Sequence, residues 1–156
     1  MTQPAEVEFA SQQFQDWLTA LKTRALLQTH NQSQAIMRAV LAELRRYMST
    51  DQVLDFADAL PPLPRGIFLE RWRPADAMPL ASAADFTAGV VRRLSPHVIP
   101  PDSVAGDVLA VLAAHVSARN GAVMRAALPE ALRPLWPDCP EAAGEPGYLR
   151  RATDGS

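Results

Sequence analysis

The side chains best suited to chemistry in this sequence are its arginines, and their placement is the first thing to weigh. Lys22 is the only lysine, and the other fourteen of the 15 basic residues in the 156-residue chain are arginines. A guanidinium presents a planar fork that binds carboxylates and phosphates bidentately, where an ammonium offers only a point charge. Arg65 and Arg133 each follow a Leu-Pro pair at the same spacing, Leu60-Pro61 and Leu128-Pro129. Two readings of this pair are open. In one, each guanidinium closes the C-terminal carbonyls of a neighbouring helix or meets a carboxylate such as Glu43 or Asp107; in the other, the two are symmetric anion clamps. Arg71-Trp72-Arg73 offers a cation–π pair, and an exposed indole there favours a partner surface. The doublets Arg45-Arg46, Arg92-Arg93 and Arg150-Arg151 are of the type that contacts phosphates. The formal net charge is −2, however, and no helix-turn-helix spacing is present, so nucleic acid is not an expected partner.

Other chemistries lack their spacing. His30, His97 and His115 form no His-x-x-x-His, Glu-x-x-His or His-x-Glu pair, so zinc and di-iron sites have no local signature. Nucleophilic catalysis needs a Ser or Cys beside a base. There is no Gly-x-Ser-x-Gly, and Cys139 stands alone in Pro137-Asp138-Cys139-Pro140. A lone cysteine also excludes an intramolecular disulfide. No glycine-rich phosphate loop is present. Asp51, Asp55 and Asp58 share a helical face, but ligands along one helix do not wrap a cation as a loop does, and a solvated face is the expected role. The sequence therefore places no catalytic residue, no metal site and no cofactor, and an enzyme has no residue to carry its reaction.

The elements that must position these residues come in two copies. Ala39–Phe68 and Asp107–Trp136 align at a constant offset of 68 positions, with Val40/Val108, Leu41/Leu109, Leu44/Leu112, Ser49/Ser117, Leu60/Leu128 and Arg65/Arg133 among the identical pairs. In that alignment His115 replaces Tyr47, which suggests an interhelical hydrogen bond. Self-similarity at a fixed period is an architectural signal. Apolar residues at three- and four-residue steps predict a first helix from about Glu6 to Ala25, burying Phe9, Phe14, Trp17, Leu18, Leu21 and Ala25. Asn31 with Gln34 reads as the cap of a second helix, whose stripe is Ile36, Val40, Leu44, Tyr47 and Met48. Thr50 reads as the cap of a third, with Val53, Leu54, Ala57 and Leu60 inward. Pro61-Pro62 stops it, and Pro64 opens a fourth carrying Ile67, Phe68 and Trp72.

After a link from Pro74 to Ala81 the order recurs. Ser82 with Asp85 caps a helix burying Phe86, Val90, Val91 and Leu94. Ser95-Pro96 ends it, and the next helix has the stripe Val104, Val108, Leu112 and Val116. Asn120-Gly121 reads as a turn, and Pro129 opens a last short helix ending near Trp136. The expectation is an all-α fold with no strand: about eight helices as two tandem four-helix repeats, residues 6–73 and 82–136. Since a single copy buries its stripes only marginally, the two share one core around a pseudo-two-fold within a single domain, 6–136. The Pro- and Gly-rich tail, 137–156, is expected to be flexible. The N-terminus has no basic and apolar leader, and no stretch approaches the roughly 20 apolar residues of a membrane span, so a cytoplasmic location is expected.

Ala-Val-Leu…Leu followed by Ala-Leu-Pro…Arg…aromatic, said twice after an aromatic-bearing helix, resembles the bacterial domain of unknown function 2267 family. The resemblance runs from about Phe9 to Trp136 and rests on Phe14 and Phe86, Leu44 and Leu112, the two Leu-Pro pairs, Phe68, Trp72 and Trp136. It implies an all-helical protein with a duplicated half, and no reaction. The function expected is a non-enzymatic helical protein-interaction module of regulatory or stress type, acting by self-association or on a protein partner. The alternative is a small anionic-ligand binder using the cleft between the repeats. Arg65, Arg71, Trp72 and Arg133 are the candidate interaction or anion contacts.

Overall fold

The first helix, α1, spans Ala5–Arg24, with Glu6 and Glu8 in its first turn and Lys22 and Arg24 in its last, the charge order the helix dipole favours. This is a computed structural model, and it describes residues 4–138. Helix α1 ends as the Leu27 amide donates to the Lys22 carbonyl, with Leu26 in left-handed backbone at φ 55°. Glycine is the unstrained residue for that closure. Trp17, Leu18 and Leu21 are buried, but the first turns run beyond the core, and Phe9, expected inside, is 69% exposed. Helical spacing gives the direction of a side chain, not how far along the helix a neighbour extends.

Helix α2 spans His30–Leu44 and passes into a 3-10 turn, Arg45–Tyr47. Its cap is Thr29, not Asn31: Thr29 Oγ1 accepts the Gln32 amide at 3.2 Å, and Gln32 Oε1 accepts the Gln28 amide at 3.0 Å. Ser33, in the first turn, is buried, and its hydroxyl is satisfied by donating to the Leu18 carbonyl at 2.7 Å. Helix α3, Thr50–Ala59, is likewise capped one residue before Thr50. Ser49 and Gln52 form a reciprocal capping box, and three residues beyond Thr50 lies Val53, with no acceptor to return the bond. Inside α3, Phe56 is buried and Leu54 faces out, the reverse of expectation for Leu54.

Helix α4 spans Pro62–Leu69 and starts at Pro62 instead of Pro64. Both prolines fall in the first turn, where an amide has no intrahelical acceptor to lose. Trp72 lies beyond its end, half-buried against the core. Helices α5 (Ala83–Leu94), α6 (Val104–His115) and α7 (Ala118–Ala127) follow. Ser82 caps α5 as expected by accepting the Asp85 amide, while Val91 is exposed. Asn120-Gly121 is not a turn but lies inside α7, because Ser117 caps that helix by accepting the Asn120 amide at 3.1 Å. The last segment, Glu130–Leu135, is a 3-10 helix. Pro134 sits in its interior, where a missing amide and the ring prevent an α-helical bond.

The chain is all-helical among the described residues, with no strand. Helix α1 packs on α2 and α6, α2 also on α5, and α3 on α7. Helices from before the Pro74–Ala81 stretch therefore cover helices from after it, around one hydrophobic cluster that includes Trp17, Phe56, Phe68 and Phe86. Phe56 and Phe68 pack with ring centroids 5.0 Å apart and their planes tilted by 49°. A buried ring of this kind contributes about 2–3 kcal/mol relative to exposure.

Candidate functional site

The polar feature that ties α2 to α5 is Glu43. Its position seven residues after Ile36 puts it on the buried face of α2, and only 1% of it is exposed. A buried carboxylate must be paired to persist. Glu43 Oε2 accepts Arg93 Nε from α5 at 2.6 Å, and Oε1 accepts Arg46 Nη1 at 3.0 Å and the Tyr47 hydroxyl at 2.9 Å. Burial by itself raises the carboxyl's pKa. The hydrogen bonds from Arg93 and Tyr47, with the charges of Arg93 and Arg46, outweigh it and hold the group below its ordinary value. The Tyr47 phenol is pushed up, first by burial and then by its bond to the carboxylate. The approach of the two helices depends on Gly89. A Cβ there would lie 2.7 Å from Glu43 Cδ and 3.2 Å from Cγ, and closer still to Oε1.

Beside this network, α2, the end of α4 and α5 enclose a groove of about 550 Å³ with Ala35, Ala39 and Ala42 on its α2 side. Arg38, Arg45, Arg71 and Arg93 line it, with Glu70 the single carboxylate among the lining residues. Arg45 is fixed by α4: its Nη1 donates to the Phe68 carbonyl at 2.9 Å and the Glu70 carbonyl at 2.6 Å. Arg38 pairs with the Glu70 carboxylate. Burial, and next to it the charge of Arg93, lowers the pKa of Arg45. Arg45 and Arg93 both line the groove, and the charge of Glu70 opposes the effect of Arg93 on Arg45.

The residues singled out from sequence separate under this geometry. Arg65 caps α3: Nε donates to the Ala57 carbonyl at 2.8 Å, and Nη2 to Leu60 at 2.8 Å and Asp58 at 3.2 Å. Arg133 does the same for α7, with Nε on Leu128 at 3.2 Å and Nη2 on Ala126 at 3.4 Å. Both hold the carbonyls of the helix preceding them, and neither pairs with Glu43 or Asp107. Arg71 is exposed and lines the groove. Trp72 makes no cation–π pair among the described residues; Arg46 lies over the Tyr47 ring at 5.7 Å instead.

His115 donates from Nδ1 to Val111 of its own helix at 2.8 Å, correcting the interhelical bond expected of it, while its ring lies 5.9 Å from Trp17. The Trp17 indole N–H is the one buried side-chain donor without a partner among the described residues. His30 stands within 3.0 Å of Thr19, His97 is exposed, and Asp51, Asp55 and Asp58 all face solvent. No group of three His, Cys, Asp or Glu among the described residues is placed to hold a metal ion. Cys139 and Arg150-Arg151 lie outside the described residues.

Reading the arginines by their Leu-Pro spacing set Glu43 and Asp107 against the wrong arginines: Glu43 pairs with Arg93 and Arg46, and Asp107 with Arg24 at 3.3 Å. The signals were a carboxylate on an apolar stripe and, in α5, a glycine three residues after Phe86 on the core face. Both imply a close, paired approach.

Fold and side chains together define an all-helical protein whose arginines serve as interhelical ties, helix caps and the lining of a groove. The chain belongs to the family described as "Uncharacterized conserved protein (DUF2267)", whose model matches residues 14–135. No curated protein matches it. No helix among the described residues is long and apolar enough to cross a membrane.

Proposed function

We propose that this chain is a non-enzymatic, cytoplasmic helical module that works by protein contact in a regulatory or stress setting. The observation behind the proposal is the projecting start of α1, where Phe9 is 69% exposed on a helix otherwise packed against α2, α4 and α6. An aromatic ring left out on a helix end is an anchor that a partner's apolar groove can take up, here that of a second copy or another protein. Light scattering and pull-downs on the wild type and on Phe9→Asp test this. Concentration-dependent association or a retained partner, lost in Phe9→Asp with melting temperature unchanged, supports the reading. A strict monomer that retains no partner refutes it.

A second reading is favoured by the arginine-lined groove between helices from before and after the Pro74–Ala81 stretch. In it the protein binds a small anionic ligand in the cleft between the two halves. A thermal-shift screen tests it, since a ligand that binds only the folded state raises the melting temperature by mass action.

A further inference from the structure

We infer that the groove between α2, the end of α4 and α5 is a binding site for a small organic phosphate monoester, gripped by Arg45 and Arg93 with Arg38 and Arg71 at its rim. This rests on the second reading above and names its site and ligand class. The chain carries a net charge of −2, yet the groove gathers four guanidiniums against one carboxylate. Its volume of about 550 Å³ lies within the range of small-molecule sites, roughly 300–1,000 Å³, and exceeds what a bare inorganic anion fills.

The geometry of the arginines narrows the ligand further. Arg45 is anchored through Nη1 to two carbonyls, and its Nε and Nη2 meet no protein acceptor among the described residues. Arg93 is anchored through Nε to Glu43, and its two terminal nitrogens likewise meet none. Each guanidinium is thus held by one edge and keeps donors for something else. A single centre bearing two negative charges and three acceptor oxygens satisfies both at once. A dicarboxylate spreads its two charges over separated groups and does so less well. The alanines on the α2 side, with Ile67 and Leu94, give an apolar seat for the ester's organic part.

Arg71 adds an independent observation. Leu69 to Trp72 form a turn closed by the Trp72 amide on the Leu69 carbonyl at 3.1 Å, and Arg71 occupies its third position at φ 54°. Glycine is the ordinary residue there. A strained arginine whose side chain lies at the rim of a positive groove fits a side chain that is used.

The test is isothermal titration of the full chain with phenyl phosphate, inorganic phosphate, succinate and sulfate, alongside Arg71→Gly, Arg38→Gln and Glu70→Gln. Phenyl phosphate is expected to bind more tightly than inorganic phosphate or sulfate, which lack the organic part, and all three more tightly than succinate. Arg71→Gly weakens phenyl phosphate binding about tenfold while its melting temperature holds or rises. Arg38→Gln also weakens it, and Glu70→Gln tightens it by roughly fivefold as the only lining carboxylate is neutralised. If no probe binds, the inference and the small-anion reading fall together. If an anion binds but none of the three variants changes its affinity, the groove is wrong and the broader reading survives.

Discussion

Replacing Gly89 with alanine tests whether Glu43 is the fastening between α2 and α5. In an isolated helix the change is favourable, because alanine exceeds glycine in helix propensity by about 1 kcal/mol. Here the new methyl enters the space of the Glu43 carboxylate, 2.7 Å from Cδ and 3.2 Å from Cγ. A free side chain end would swing away at little cost. Glu43 is not free: it is 1% exposed, and three groups hold its two oxygens at 2.6–3.0 Å. Displacing it breaks a buried charge network, which costs roughly 3 kcal/mol at the lower end of the usual range. The net expectation is a loss of about 2 kcal/mol, or roughly 6 °C in melting temperature for a chain of this length.

The assay is a double-mutant cycle by urea unfolding. In a Glu43→Ala background nothing remains for the methyl to strike, so Gly89→Ala should become neutral or stabilising by up to about 1 kcal/mol. The coupling between the two sites should then be about 2–3 kcal/mol. If Gly89→Ala costs under about 0.5 kcal/mol in the wild type, or costs the same with and without Glu43, the fastening argument is wrong.

Acid provides a second probe of the same carboxylate. Its pKa is lowered in the folded state, so the stability it supplies is present above its ordinary value of 4.5 and is lost as pH falls through the lower folded value. The difference in unfolding midpoint between the wild type and Glu43→Gln should be constant near neutrality and shrink below that pH. Arg65→Ala should lower stability by about 2 kcal/mol and Arg133→Ala by about 1, in the order of their carbonyl bonds, and thermal melts without added ligand measure both. Leu26→Gly should raise the melting temperature, because glycine relieves the left-handed strain at the end of α1 with a net gain of about 0.5–1 kcal/mol. An unchanged or lower melting temperature would show that Leu26, though exposed, packs on something that stabilises it.

The helices were legible in the sequence because most of them are written in strong local signals. Ser82 and the two Leu-Pro pairs mark ends that hold in the structure, and of the stripe Val104, Val108, Leu112 and Val116 the first three are buried while Val116, at the end of α6, is half-buried. Errors arose where two local signals competed within three residues. Thr29 with Gln32 and Asn31 with Gln34 are both plausible caps, and the structure uses the first. Asn120-Gly121 reads as a turn until Ser117 is seen to cap the helix containing it. The candidate site was harder to read, because the groove is made by Arg38 and Arg45 on one side of a long gap in sequence and Arg93 on the other. No local spacing encodes that meeting. The repeated sequence drew attention to Arg65 and Arg133, which match at the 68-residue offset because each caps the helix that precedes its own.

The two interhelical ion pairs point to what the acidic residues contribute. Arg93 reaches Glu43 from α5 to α2, and Arg24 reaches Asp107 from α1 to α6. In each pair an arginine in the last turns of one helix meets a carboxylate on a helix from the other side of the Pro74–Ala81 stretch. In each, the acid is the more enclosed partner, with side chains 1% and 10% exposed against 37% and 55% for the arginines. The long guanidinium stems cover apolar surface while their heads stay near water, so the pair avoids the full cost of burying two charges. Apolar stripes alone are non-directional, and the alanine-rich faces of α2 and α6 would tolerate sliding by a turn. A carboxylate that must find one guanidinium does not, and Gly89 adds a steric stop at the same place. Register between the two sets of helices is thus set where burial alone leaves it loosest, and Arg93, held through Nε for that purpose, is also one of the residues lining the groove.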